Sequence, residues 1–146
     1  MSAARKRKFW GWGYEGAGPS AEQESGIARA LSQRFGAALE LVAPPREDEI
    51  ALAPPRIQPP AALRELCSAA PHDRLGHTYG KGFRDVVRAL RRRFEPAPDW
   101  VAFPRDEREV IETVLVALEG RTGGAAVTRS VWRAGGSLGL RREAPQ

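Results

Sequence analysis

One cysteine, one methionine and two histidines among 146 residues leave this chain little material for redox, metal or nucleophilic chemistry. The lone Cys67 excludes an internal disulfide framework and suits a reducing compartment, so the cytoplasm is the expected location. No apolar run approaches the roughly 20 residues that a membrane-spanning helix needs. The basic opening Met1-Ser2-Ala3-Ala4-Arg5-Lys6-Arg7-Lys8 is not followed by the apolar stretch of a secretory signal. Neither His72 nor His77 has a partner at a spacing such as His-Glu-x-x-His, so no metal site is expected. A Walker-type phosphate loop is absent, and no internal repeat is evident.

Arginine, proline and glycine are plentiful instead. With 12 Pro, 15 Gly and a mean hydropathy of -0.44, much of the chain should be irregular, although its length allows one domain with a real core. The net charge is +5 and the isoelectric point near 10.1. Two clusters dominate it: Arg5 to Lys8, and Arg88 with Arg91, Arg92 and Arg93. Phe9, Trp10 and Trp12 follow the first cluster, and stacking rings beside positive charge would suit single-stranded nucleic acid. The plainer reading is solvated arginine at helix ends, with Arg91 to Arg93 complementing the dipole of a helix that begins near Gly82. That reading is preferred, so nucleic acid is not an expected partner. A small basic nucleic-acid-binding module stays as the alternative function.

Along the chain, residues 1–19 form a basic and aromatic arm. Residues 20–95 are expected to be a helical region interrupted by a proline-rich linker at 41–60, where six prolines fall between Leu41 and Pro60. Ser20 with Gln23 predicts a capping box, Ile27, Leu31 and Phe35 a helical stripe, and Gly36 a left-handed C-terminal cap, giving a helix from about Ala21 to Phe35. Leu63, Leu66 and Cys67 predict a short helix after Pro59-Pro60, with a turn at Pro71-His72-Asp73 and a helix over Phe83, Val86, Val87 and Leu90.

The segment 96–127 carries more information. Pro98 biases Ala97 toward extended geometry, Trp100-Val101-Ala102-Phe103 is a short β-prone run that Pro104 ends, and Asp106-x-x-Glu109 resembles a capping box. Val110, Ile111, Val114, Leu115 and Leu118 continue at helical spacing. A parallel-type strand near Trp100 to Phe103, a helix, and a second strand near Ala125 to Thr128 are therefore expected.

Upstream stands Arg74-x-x-His77-x-x-Gly80-Lys81, continuing to Asp85, Val86 and Arg88. With Ala97-Pro98-Asp99, Glu109-Val110 and the opening Lys8-Phe9-Trp10-Gly11-Trp12-Gly13, it resembles the FAD-linked oxidases of the vanillyl-alcohol oxidase superfamily. The branch it looks most like contains alkyldihydroxyacetonephosphate synthase and the D subunit of glycolate oxidase. The resemblance covers roughly residues 8–119, with Gly82 in place of the family's serine. It implies an α/β (α+β) fragment: an N-terminal helical cap, then the first β–α unit of a PCMH-type FAD-binding domain. The family's cofactor is FAD, whose pyrophosphate sits on a Pro-x-Gly-Gly-Gly loop, where consecutive glycines let backbone N–H groups approach. That pattern is missing here, and only Gly135-Gly136-Ser137 echoes it as a candidate cofactor-binding segment.

The tail 128–146 departs from the family and has no helical or strand period. From Arg121 onward the only acid is Glu143, a composition such as out-of-frame translation of a GC-rich gene gives. The expectation is a truncated, inactive relative that retains no FAD, with no catalytic residue assigned. Cys67 beside a histidine could form a nucleophilic dyad, but core packing is the expected role of Cys67, and structural roles are expected for His77, Arg74 and Lys81.

Overall fold

The computed structural model describes residues 5–119, 125–128 and 138–142. The basic arm opens as a hairpin: Lys8 N–H donates to the Gly13 carbonyl (3.1 Å), Glu15 N–H to the Lys6 carbonyl (2.8 Å), and Arg7 bridges Tyr14. Gly13 sits at φ 85°, a left-handed geometry that glycine adopts without Cβ strain. The hairpin places Phe9 in the core.

Helix α1 (Ala21–Phe35) forms as expected from its ends. Ser20 Oγ accepts from Gln23 N–H, and the Gln23 side chain accepts in return from Ser20 N–H. Gly36 closes the helix at φ 62°. No residue of α1 is buried, so its apolar stripe faces outward. The proline segment that follows contains a 3-10 turn at Glu47–Glu49.

A second 3-10 turn, Ala61–Leu66, leads into strand β1 (Cys67–Ser68). Cys67 was expected on a helix, but pairing with the next strand draws it into extended geometry: Phe103 N–H donates to the Leu66 carbonyl at 2.8 Å, and Cys67 stands opposite Ala102. The expected turn at Pro71 is helix α2 (Pro71–Gly76), since proline at a first helical position has its φ set in advance and needs no hydrogen-bond donor there. Helix α3 (Phe83–Leu90) is followed closely by Arg92 at φ 57°, a conformation disfavoured for a residue with a Cβ; Arg92 is held by its own side chain donating to the Leu90 carbonyl and to Glu49.

Strand β2 (Trp100–Ala102), helix α4 (Glu107–Glu119), strand β3 (Ala125–Thr128) and strand β4 (Leu138–Arg142) complete the fold. The sheet order is β1-β2-β4-β3 and every pairing is antiparallel. The parallel-type strand expected at Trp100 is thus corrected. β2 and β3 point the same way, but β4 lies between them, which makes β2-α4-β3 a split β–α–β unit. The tail was expected to lack strand character, yet β4 pairs with both neighbours.

The fold is α+β. Phe9, Leu75, Ala89 and Phe94 form the main core cluster, flanked by Trp10, Ile50 and Leu52. Leu63, Leu66, Val101 and Ala102 are buried as well. No helix among the described residues is long and apolar enough to cross a membrane.

Candidate functional site

The segments singled out by sequence meet around α2 and β2. α2 presents Arg74 toward the start of β2, where its buried guanidinium donates from Nε to the Pro98 carbonyl (2.7 Å) and from Nη2 to the Ala53 carbonyl (2.9 Å). Burial pulls the Arg74 pKa below its ordinary value, while the Asp99 carboxylate acts the other way. Asp99 is 1% exposed and accepts three hydrogen bonds from Arg56: the backbone N–H at 2.9 Å, Nε at 3.1 Å and Nη2 at 2.9 Å. A planar guanidinium fork matches a carboxylate in this bidentate way. Trp100 Nε1 donates to the Ile57 carbonyl at 2.7 Å. Together these bonds fasten the proline segment across β2.

His77 caps α2. Its Nδ1 lies 2.7 Å from the Asp73 carbonyl, which can only accept, so Nδ1 carries the hydrogen. Its ring meets Phe103 edge-on, with centroids 6.1 Å apart. Burial lowers its pKa, which keeps the ring neutral near pH 7. Lys81 Nζ turns inward and donates to the Phe9 carbonyl. Burial brings its pKa down to about 8, against the opposing pull of Asp85. Phe9, Trp10, Tyr79, Asp85 and Phe94 line the recess around it, whose volume of about 10 Å³ holds at most one water. This recess does not fit a flavin ring or a pyrophosphate. A Cβ at Gly80 would come within 3.1 Å of Asp85 Oδ2, so the glycine answers to a close side-chain approach.

At α4, Asp106 Oδ1 accepts from Glu109 N–H (2.8 Å) as the capping pattern predicts. The Glu109 carboxylate accepts from Arg105, through the backbone N–H at 2.6 Å and through Nη2 at 2.6 Å, and these bonds hold its pKa below the ordinary carboxylate value.

Cys67 is half-buried on β1, and burial pushes its thiol upward, which disfavours the nucleophilic thiolate. His72 pairs instead with Glu47, its Nδ1 lying 2.7 Å from Oε1. The basic arm covers its own rings: the Arg5 and Arg7 guanidiniums lie 4.8 and 5.4 Å from the Tyr14 ring centre, and Lys8 Nζ lies 5.2 Å from that of Trp10. Gly135, Gly136 and Ser137 lie outside the described residues.

Two clusters were not anticipated from sequence. Arg56–Asp99 spans 43 residues, and Glu15, Glu47 and His72 converge from three segments. No local spacing announces either, because each is created by the folding back of the arm and the proline segment.

No protein-family model matches the chain, and no curated protein or solved structure does so either.

Proposed function

We propose that the chain corresponds to the N-terminal cap and first β–α unit of an FAD-linked oxidase of the vanillyl-alcohol oxidase superfamily, and that its own residues act as scaffold rather than as catalyst. One observation carries this reading: the residues that resemble the family hold one another in place. Lys81 grips the Phe9 carbonyl, and Arg74 grips the Pro98 carbonyl. These contacts tie the motif-bearing segments to one another across 72 and 24 residues of chain.

In such an oxidase the flavin supplies the two-electron chemistry and the protein binds and orients it. The chain's own contribution is to set the angle at which β2 and α4 leave the cap. The recess at Lys81 is too small for the cofactor, and the sequence lacks the family's glycine pattern; the chain is expected to retain no flavin. A dinucleotide also needs contacts along its length to offset the ordering entropy of binding.

Gel filtration of the chain with added FAD tests the scaffold reading, and the expected result is elution without stoichiometric flavin absorbance. Retained FAD that is lost in Gly135→Val would make residues 135–137 a working pyrophosphate grip and overturn it. The family assignment is tested separately by the DNA that follows the coding region: without a flavoenzyme-like reading frame there, it fails.

A nucleic-acid-binding module is the second reading, favoured by Trp12, which is 61% exposed beside the basic arm. It requires binding to single-stranded DNA that weakens steeply with salt and quenches Trp12 fluorescence.

A further inference from the structure

We propose that Glu15, Glu47 and His72 form a binding site for a first-row divalent cation of the Zn²⁺ kind, in which the metal replaces the Lys6 ammonium and staples the N-terminal hairpin and the 47–49 turn to α2. One ligand atom from each of the three side chains lies within 4.8 Å of the others. His72 Nδ1 is 2.7 Å from Glu47 Oε1 and 4.0 Å from Glu15 Oε1. Ligands about 2.1 Å from a common ion stand roughly 3.5 Å apart, so small side-chain rotations are enough to close the site.

The surroundings favour an ion at this position. Lys6 Nζ already sits between the carboxylates, 2.6 Å from Glu47 and 3.4 Å from Glu15. The pair of carboxylates therefore already holds one cationic group between them. A divalent ion feels twice the attraction at equal distance. Lys6 is half-exposed on a flexible stem, so it can swing to solvent when displaced. The His72 ring is fixed by an edge-on contact with Phe9, centroids 6.1 Å apart, which reduces the rotamer freedom that binding must remove.

Two carboxylate oxygens and one imidazole nitrogen, without thiolate, suit Zn²⁺ or a neighbouring first-row ion and leave a fourth position for water. His72 Nδ1 now donates its hydrogen to Glu47, so ligation through it requires the tautomer protonated on Nε2.

The test is calorimetric titration of the EDTA-treated chain with Zn²⁺ at pH 7.5, paired with thermal unfolding. One equivalent should bind, and a hundredfold excess over Kd should raise Tm by about 9 °C, reversibly with EDTA. Glu15→Gln lies on the exposed hairpin and His72→Ala at the centre; each should weaken binding by roughly tenfold or more. Lys6→Met should tighten it several-fold by removing the internal competitor. That gain separates the site from adventitious zinc capture, which would ignore Lys6. Sub-stoichiometric binding, unchanged affinity in Glu15→Gln, or weakened binding in Lys6→Met would each overturn the proposal.

Discussion

Helix α1 and the α2–β2 block follow opposite strategies. α1 satisfies every local rule: capping box, acidic first turn with Glu22 and Glu24, Arg34 in the last turn and a glycine C-cap. Yet it buries no residue, and Ile27 and Phe35 are 53% and 67% exposed. α2 has six residues and no side-chain cap, but it carries Leu75 and Arg74, both buried and tied to distant chain. Good local signals form a helix, whereas fastening it into a domain needs long-range contacts. The two regions should respond differently to the same kind of change.

The largest effect belongs to the block. Leu75 is almost fully buried in the main cluster, so Leu75→Ala should lower unfolding stability by about 3 kcal/mol in urea titration. Asp99→Asn comes next, at about 2 kcal/mol, because it removes the charge that answers Arg56 and the buried Arg74. A loss below about 0.5 kcal/mol in either variant, the size of an ordinary surface change, would remove the distinction between the two regions.

Lys81 sharpens the comparison through pH. Its folded pKa of about 8 lies below the ordinary 10.5, so between these values the unfolded chain binds more protons than the folded one. Stability should therefore rise as pH increases from about 8 to 10.5, and Lys81→Met should flatten that slope. A slope that persists in the variant would place its source elsewhere.

Changes in α1 should be the mildest. Ser20→Ala removes a capping interaction worth about 1 kcal/mol to the helix, so circular dichroism should lose helical amplitude. The urea midpoint of the block should stay where it was, since α1 is not buried against it. Ile27→Ser should change the unfolding free energy by less than about 0.5 kcal/mol. A large shift in either case would mean that α1 is covered in solution.

The parts legible in sequence were those whose causes are local. Ser20, Gln23 and Gly36 fix α1 to the residue, Asp106 and Glu109 fix the start of α4, and Pro98 and Pro104 bracket β2. The misread parts have non-local causes. Cys67 continues an apolar spacing that suits a helix, but β2 recruits it as a strand partner. β4 carries a glycine and two arginines among five residues, a poor strand by composition, and owes its form to neighbours on both sides. α2 is too short for periodicity to reveal. At the site, Arg74, His77 and Lys81 were visible as a motif, and Pro98, Phe103 and Phe9 in others, but which of them would meet was not, because contact across the fold leaves no trace in spacing.

The proline segment gives the molecule an order of assembly. Its fastenings, Arg56 to Asp99 and Trp100 to Ile57, each close 43 residues of chain. Closing loops of that length costs entropy before any bond forms, while a capped helix such as α1 closes turn by turn within about a microsecond. The strap should thus lock late, after Leu75 and Phe94 have met. Substitutions at Arg56 should then leave the folding rate almost unchanged and appear chiefly as faster unfolding.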